Sequence, residues 1–198
     1  MTKHTLIGLT GPTGCGKSVV ADAWRACGAE IISADECARA VVAPDHPCLS
    51  VLVETFTDAI LHSDGTLNRA ALAASAFADP AKTQALNAIT HPAICRMMKE
   101  QADALFAAGC KVVVLDSPQL YEAGQDAICD VVVAVLADKD IRLQRIMARD
   151  GIDATAALLR IGAQPTDEFY RERADVVWEN NGTPDALQET AKEWLTCL

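Results

Sequence analysis

The string Gly11-Pro12-Thr13-Gly14-Cys15-Gly16-Lys17-Ser18 constrains the fold of this chain more than any other feature. It matches G-x-x-x-x-G-K-[ST] and lies between a short apolar run, Leu6 to Leu9, and a segment with apolar residues at helical spacing through Val19, Val20, Ala23, Trp24 and Cys27. Strand, turn and helix in that order are what a phosphate-binding loop needs. Its glycines let the backbone curl until several N–H groups converge on phosphate oxygens, and the helix start adds positive potential. In such a loop Lys17 contacts the β- and γ-phosphates of a nucleotide and Ser18 ligates magnesium, so Gly11 to Val19 is read as the nucleotide-binding stretch.

The rest of the chain alternates in the same way. A short strand is expected at Ile31 and Ile32, then a helix from about Glu36 to Val42, cut off by Pro44 and Pro47. From Leu49 to Ala108 alanine-rich amphipathic segments dominate, with breaks expected at Asp64-Gly65, Asp79-Pro80 and His91-Pro92 and no convincing strand. Val112 to Leu115 and Val131 to Leu136 are continuous β-branched runs, the pattern of central parallel strands buried on both faces. Ile141 to Ala148 reads as a cationic amphipathic helix and Val176 to Trp178 as a last strand. Thr183 and Pro184 then open a final helix as N-cap and first residue. The chain of 198 residues suits one domain. Its fold class is α/β, a five-stranded parallel sheet flanked by helices, with ligands beyond the carboxyl ends of the strands.

Charge narrows the function. Lys and Arg number 17 against 27 Asp and Glu, and the net charge of −10 repels nucleic acid and anionic lipid at long range, so phosphate must be held locally. No apolar run is long enough to span a bilayer, and the glycine-rich loop comes before any signal-peptide core, so the expected compartment is the cytoplasm. The eight cysteines are at least ten residues apart without a Cys-x-x-Cys pair, and read as reduced, mostly buried thiols. Cys15, close to a helix N-terminus, is either a small-residue substitution or a thiol of lowered pKa.

Three further features carry candidate chemistry. Asp35 follows the second strand, where it serves either as the N-cap of the next helix or as a carboxylate that takes an acceptor's proton. Asp116 ends a β-branched run, the shape of a strand whose carboxylate holds magnesium, with a simple turn before Pro118 as the alternative. Arg142, Arg145, Arg149, Arg160, Arg171 and Arg173 cluster in an otherwise acidic chain, as in a lid that clamps phosphoryl oxygens or as a solvated face paired with Asp and Glu.

Taken in order, these features resemble the dephospho-coenzyme A kinase family. The resemblance runs nearly end to end. It is carried by Ile7 to Gly11 leading into the loop, Ala34-Asp35 with Ala38-Arg39, Asp64 to Leu67 with Arg69, Asp79-Pro80 and His91-Pro92. It continues through Asp116-Ser117-Pro118 with Leu120 and Glu122, Arg145 with Met147 to Asp150, Ala163-Gln164, and Arg173 to Asp175 before Asn180-Asn181-Gly182. The resemblance implies a P-loop kinase with core segments 1–35, 109–149 and 174–198, a helical acceptor subdomain over 36–108 and a lid over 150–173. It implies ATP with Mg2+ as phosphate donor and the 3′-hydroxyl of dephospho-coenzyme A as acceptor. Asp35, Lys17 and Arg149 become the catalytic residues and Asn181-Gly182 part of the adenine surroundings. Asp35, Arg39, His91, Arg96 and Glu122 lie around the acceptor, and Ser18 and Asp116 hold the metal. Pro12, Ser33, Asn68, Gln119 and Pro165 depart from the family's usual residues. A monomer is expected, with weak self-association as the alternative. A related P-loop kinase for a nucleotide or small metabolite, and a catalytically silent nucleotide-binding regulator, are the competing functions.

Overall fold

In a computed structural model, which describes residues 4–198, the first apolar run becomes the middle of a sheet. Strand β1 (Thr5–Thr10) is buried along its whole length and pairs in parallel with β3 (Val112–Asp116) on one side and β4 (Val131–Leu136) on the other. With β2 (Glu30–Ser33) and β5 (Val176–Glu179) at the edges, the five parallel strands run in the order β2-β3-β1-β4-β5. The register sets Leu9 beside Asp116 and Thr10 beside Ala134, so the chain leaving β1 emerges at the sheet's carboxyl edge between its two neighbours.

Helix α1 (Lys17–Ala26) follows directly, with Gly16 in a left-handed conformation at its N-cap. The remaining helices are α2 (Ala34–Ala40), α3 (Pro47–Phe56), α4 (Arg69–Ala76), α5 (Pro80–Ala107), α6 (Lys139–Asp150), α7 (Ala154–Gly162), α8 (Asp167–Arg171) and α9 (Pro184–Thr196). Thr183 caps α9 through its hydroxyl, which accepts from the Ala186 N–H at 3.4 Å, and Pro184 occupies the first turn, where its missing N–H costs nothing.

The chain divides into two compact units, residues 33–101 and the remainder. In the larger unit, Trp24 on α1 is fully buried among Ile7, Leu9, Val20, Val114, Val133 and Leu187, and its indole N–H donates to the Ala191 carbonyl on α9 at 2.8 Å. Trp178 on β5 and Trp194 on α9 complete an aromatic triad, with ring centroids 5.5 to 5.8 Å apart. The smaller unit has its own core of Val41, Leu52, Phe56, Ile60, Leu72 and Ala76.

Helix α2 starts two residues early, because Ser33 rather than Asp35 is its N-cap: the Ser33 Oγ accepts from the Glu36 N–H at 3.3 Å. His91-Pro92 is no break. Helix α5 runs through Pro92, since Ile89, Ala93, Ile94 and Met97 pack on the core of the smaller unit and outweigh the one helical bond that proline removes. Between α3 and α4, where no strand was expected, Leu61 and Leu67 form an isolated antiparallel bridge. The cysteines are less buried than their number suggested: Cys15, Cys37 and Cys48 are buried, whereas Cys27 and Cys197 are exposed.

Candidate active site

The loop between β1 and α1 needs its glycines for stated geometric reasons. Gly11 has φ +136°, and a Cβ there would run into the Val135 carbonyl oxygen of β4. Gly16 has φ +103°, and a Cβ would strike the side-chain amide of Asn180. Both positions therefore exclude any side chain, and the loop passes against β4 and Asn180 in backbone conformations that only glycine adopts readily. Within the loop the Cys15 N–H donates to the Pro12 carbonyl at 3.3 Å, and the Lys17 ammonium donates to the Gly11 carbonyl, also at 3.3 Å. Lys17 is therefore bent over the loop, half-buried, with its charge above the turn.

Three arginines of α6 converge on this loop. Arg142 is buried; its Nε donates to the Thr13 carbonyl at 3.0 Å and its Nη1 pairs with Asp167 at 3.2 Å. Arg145 reaches the carbonyls of Gly14 (3.3 Å), Cys15 (3.5 Å) and Gly182 (3.5 Å). Arg149 pairs with Asp150 at 2.7 Å and reaches the Thr13 Oγ1 at 3.5 Å, and the hydrogen bond it donates to Asp150 pushes the pKa of its guanidinium further up. The other three arginines form surface pairs instead: Arg160 with Asp150 at 2.5 Å, Arg171 with Glu179 at 2.7 Å, and Arg173 with Glu172 at 3.7 Å and over the Phe169 ring. The cluster thus divides into three arginines gathered on the loop and three on a solvated face paired with Asp and Glu.

Asn180 and Gln164 join the loop without having been singled out as site residues. The buried Asn180 donates from Nδ2 to the Cys15 carbonyl at 2.8 Å, and Gln164 Oε1 accepts the Thr13 N–H at 2.8 Å. The Asn180-Asn181-Gly182 run was the available signal for the first. Asn181 and Gly182 themselves are exposed: Asn181 Oδ1 accepts from the Asp138 N–H at 2.8 Å, and the Gly182 carbonyl faces Arg145. Arg142 and Gln164 gave no signal beyond membership of the arginine cluster and of the Ala163-Gln164 pair.

Ser18 is exposed in the first turn of α1 and Asp116 is half-buried at the end of β3, beside the strand that feeds the loop. A hydroxyl and a carboxylate are hard oxygen donors, and a magnesium ion arriving on a nucleotide needs few others from the protein, so this pair fits such an ion. Among the described residues there is no group of three or more His, Cys, Asp or Glu placed to hold a metal by themselves. Glu122 is exposed, and its charge contributes to raising the pKa of the buried Tyr170 hydroxyl, for which desolvation is the main cause. Burial likewise pushes the Cys15 thiol up, which overturns the lowered pKa that its place in the loop suggested: the sulfur is fully enclosed, and Lys17 and Arg142 offset that only in part.

In the smaller unit Asp35 is exposed in the first turn of α2, Arg39 is exposed in the last turn of the same helix, and His91 and Arg96 lie on α5, the first half-buried and the second exposed.

The comparisons with known proteins follow the same outline. The family model described as dephospho-CoA kinase matches residues 5–185. A dephospho-CoA kinase of Anaeromyxobacter dehalogenans is 44% identical over 194 residues, 98% of this chain and 92% of that one. Another, of Syntrophotalea carbinolica, is 44% identical over 93% of this chain and 87% of its own. Among solved structures, TT1252 from Thermus thermophilus superimposes with a TM-score of 0.83 at 33% identity, covering 99% of this chain and 98% of that one. A loop built for phosphate on the central strand of a five-stranded parallel sheet, arginines gathered on it, and a match that spans almost every residue lead to one conclusion: the chain belongs to the dephospho-CoA kinase family.

Proposed function

We propose that this chain transfers the γ-phosphate of ATP to the 3′-hydroxyl of dephospho-coenzyme A, giving coenzyme A and ADP, the last step of coenzyme A synthesis. The observation that carries the reading is the phosphate loop, shaped by Gly11 and Gly16 and roofed by Lys17, in a chain matched to this family from residue 5 to 185. The loop's backbone N–H groups and the first turn of α1 bind the β-phosphate, and Lys17 neutralises charge on the β- and γ-phosphates as the transferred group loosens. Ser18 and Asp116 would hold the magnesium ion that accompanies the nucleotide and offsets its charge. Arg149 stabilises the equatorial oxygens from the lid side, and Asn181-Gly182 borders the adenine. Asp35 accepts the proton of the attacking hydroxyl, and Arg39, His91, Arg96 and Glu122 orient the acceptor.

In this reading residues 36–108 select the acceptor and 150–173 close over the nucleotide, so that transfer outruns hydrolysis. The eight free thiols suit a reducing compartment such as the cytoplasm, and no helix among the described residues is long and apolar enough to cross a membrane. A coupled assay of ADP release with a panel of acceptors tests the proposal. Release that depends on dephospho-coenzyme A, with phosphate found at its 3′-oxygen, is the expected result. Preference for a nucleoside monophosphate, or equal ADP release with and without dephospho-coenzyme A, overturns it.

A further inference from the structure

The geometry points to Gln164 as a positioning residue that ties the segment after α7 to the phosphate loop and thereby couples ATP use to the acceptor. Every polar group of Thr13 is engaged from outside the loop. Its N–H donates to Gln164 Oε1 at 2.8 Å, its carbonyl accepts from Arg142 Nε at 3.0 Å, and its hydroxyl oxygen lies 3.5 Å from Arg149 Nη2. Arg142 Nη2 in turn points at the same Gln164 oxygen at 3.5 Å, and Arg142 Nη1 pairs with Asp167 at the start of α8 at 3.2 Å. Thr13, Gln164 and Arg142 therefore form a closed ring of hydrogen bonds, anchored by an arginine that is only 4% exposed.

Two features of the chain make this ring more than incidental packing. Pro12 has no N–H and the N–H of Thr13 is already taken, so neither of the two positions after Gly11 offers a free amide, and the amides left for phosphate begin further along. Gln164 is also fixed in its own backbone. Its N–H donates to the Ile161 carbonyl at 3.3 Å in the turn that ends α7, and Pro165 behind it restricts its φ and ψ. A displacement of Thr13 by a bound triphosphate is thus transmitted through one oxygen to residues 163–171, and the converse holds: a lid segment that is out of place leaves the loop's second residue unheld. Because the ring engages Thr13 alone within the loop and no group of Gly14, Gly16, Lys17 or Ser18, its loss affects the partition between transfer and hydrolysis more than nucleotide affinity.

This inference rests on the reading of Gly11 to Ser18 as the ATP site, and its test separates the two. Gln164→Leu keeps the volume and removes the acceptor; Gln164→Glu restores an acceptor oxygen of the same reach. In Gln164→Leu the ratio of ATP hydrolysis to transfer is expected to rise about tenfold, as for a buried donor left unpaired, while the KM for ATP stays within about twofold. Amide hydrogen exchange should quicken in peptides covering 11–16 and 163–171. Gln164→Glu should return both the ratio and the exchange to wild-type values, with a higher KM for ATP because a negative charge now faces the triphosphate. A Gln164→Leu protein that folds with unchanged ratio and unchanged exchange overturns the inference. Should that variant not fold, Gln164→Asn, one carbon too short to reach Thr13, takes its place with the same criteria. Should the wild type release no ADP in response to dephospho-coenzyme A, the functional proposal falls, and the exchange measurement alone decides whether Gln164 ties the segment to the loop.

Discussion

Ser33 and Asp35 open α2 two residues apart, and exchanging them one at a time separates a structural role from a chemical one. Ser33 is the cap: its Oγ meets the Glu36 N–H at 3.3 Å on an exposed surface, a long bond that water can partly replace. Ser33→Ala should therefore cost about 0.5 to 1 kcal/mol, the lower half of the range for lost caps. For a chain of this size that is a fall in Tm of about 1 to 4 °C. Asp35 makes no capping bond. Its carboxylate only faces the positive end of a seven-residue helix, so Asp35→Asn should cost no more than about 0.3 kcal/mol, the lower limit for an exposed charge there. If Asp35 takes the acceptor's proton, the same change should lower kcat by at least about 100-fold, because an amide cannot accept it. The assay pairs thermal melts followed by far-ultraviolet circular dichroism with ADP release at saturating ATP and acceptor. A crossed pattern is expected, stability lost in one variant and rate in the other. An Asp35→Asn protein with kcat within a few-fold of wild type refutes the chemical role, and one whose Tm falls further than that of Ser33→Ala refutes the assignment of the cap.

Other expectations follow from the same geometry. Lys17→Ala should remove measurable phosphoryl transfer while leaving the circular dichroism spectrum intact, since no other side chain in the loop carries a positive charge. Gly11→Ala should destabilise the protein by at least about 2 kcal/mol in chemical denaturation, as its backbone has φ +136° and the new methyl group meets the Val135 carbonyl. Thiol labelling with iodoacetamide, followed by mass spectrometry, should modify Cys27 and Cys197 first. Cys129, whose thiol burial pushes up to about 12, stays protonated and unlabelled at pH 9, as does the enclosed Cys15. Because Cys129 is neutral in the folded protein and ionises more readily once exposed, its contribution to stability is full below about pH 9 and is lost as the pH rises toward 12.

The sheet could be read from the sequence because each strand has a local signature: β1, β3 and β4 are uninterrupted apolar runs, and parallel strands buried on both faces need nothing else. The phosphate loop was legible for the opposite reason, since its glycines answer to backbone geometry and not to packing. What could not be read depends on distance along the chain. Arg142 and Thr13 are 129 residues apart, Asn180 and Cys15 are 165 apart, and only the folded sheet brings each pair into contact. Pro92 misled because propensity is local, while the packing of Ile89, Ala93 and Met97 that overrides it is not. The cap of α2 was missed by two residues, since serine and aspartate are equally good candidates and spacing does not choose between them.

The aromatic triad has a spectroscopic consequence. Trp24, Trp178 and Trp194 are all the tryptophans of the chain and Tyr121 and Tyr170 all its tyrosines, and every one of them lies outside residues 33–101. Emission excited at 280 or 295 nm therefore reports on the sheet-bearing unit alone, whereas far-ultraviolet dichroism also sees α2, α3, α4 and most of α5. If the two units melt at different temperatures, the two signals will separate into distinct transitions; if they coincide, the chain unfolds as one. The protein thus carries an optical label on its larger unit and none on the smaller, with no dye attached.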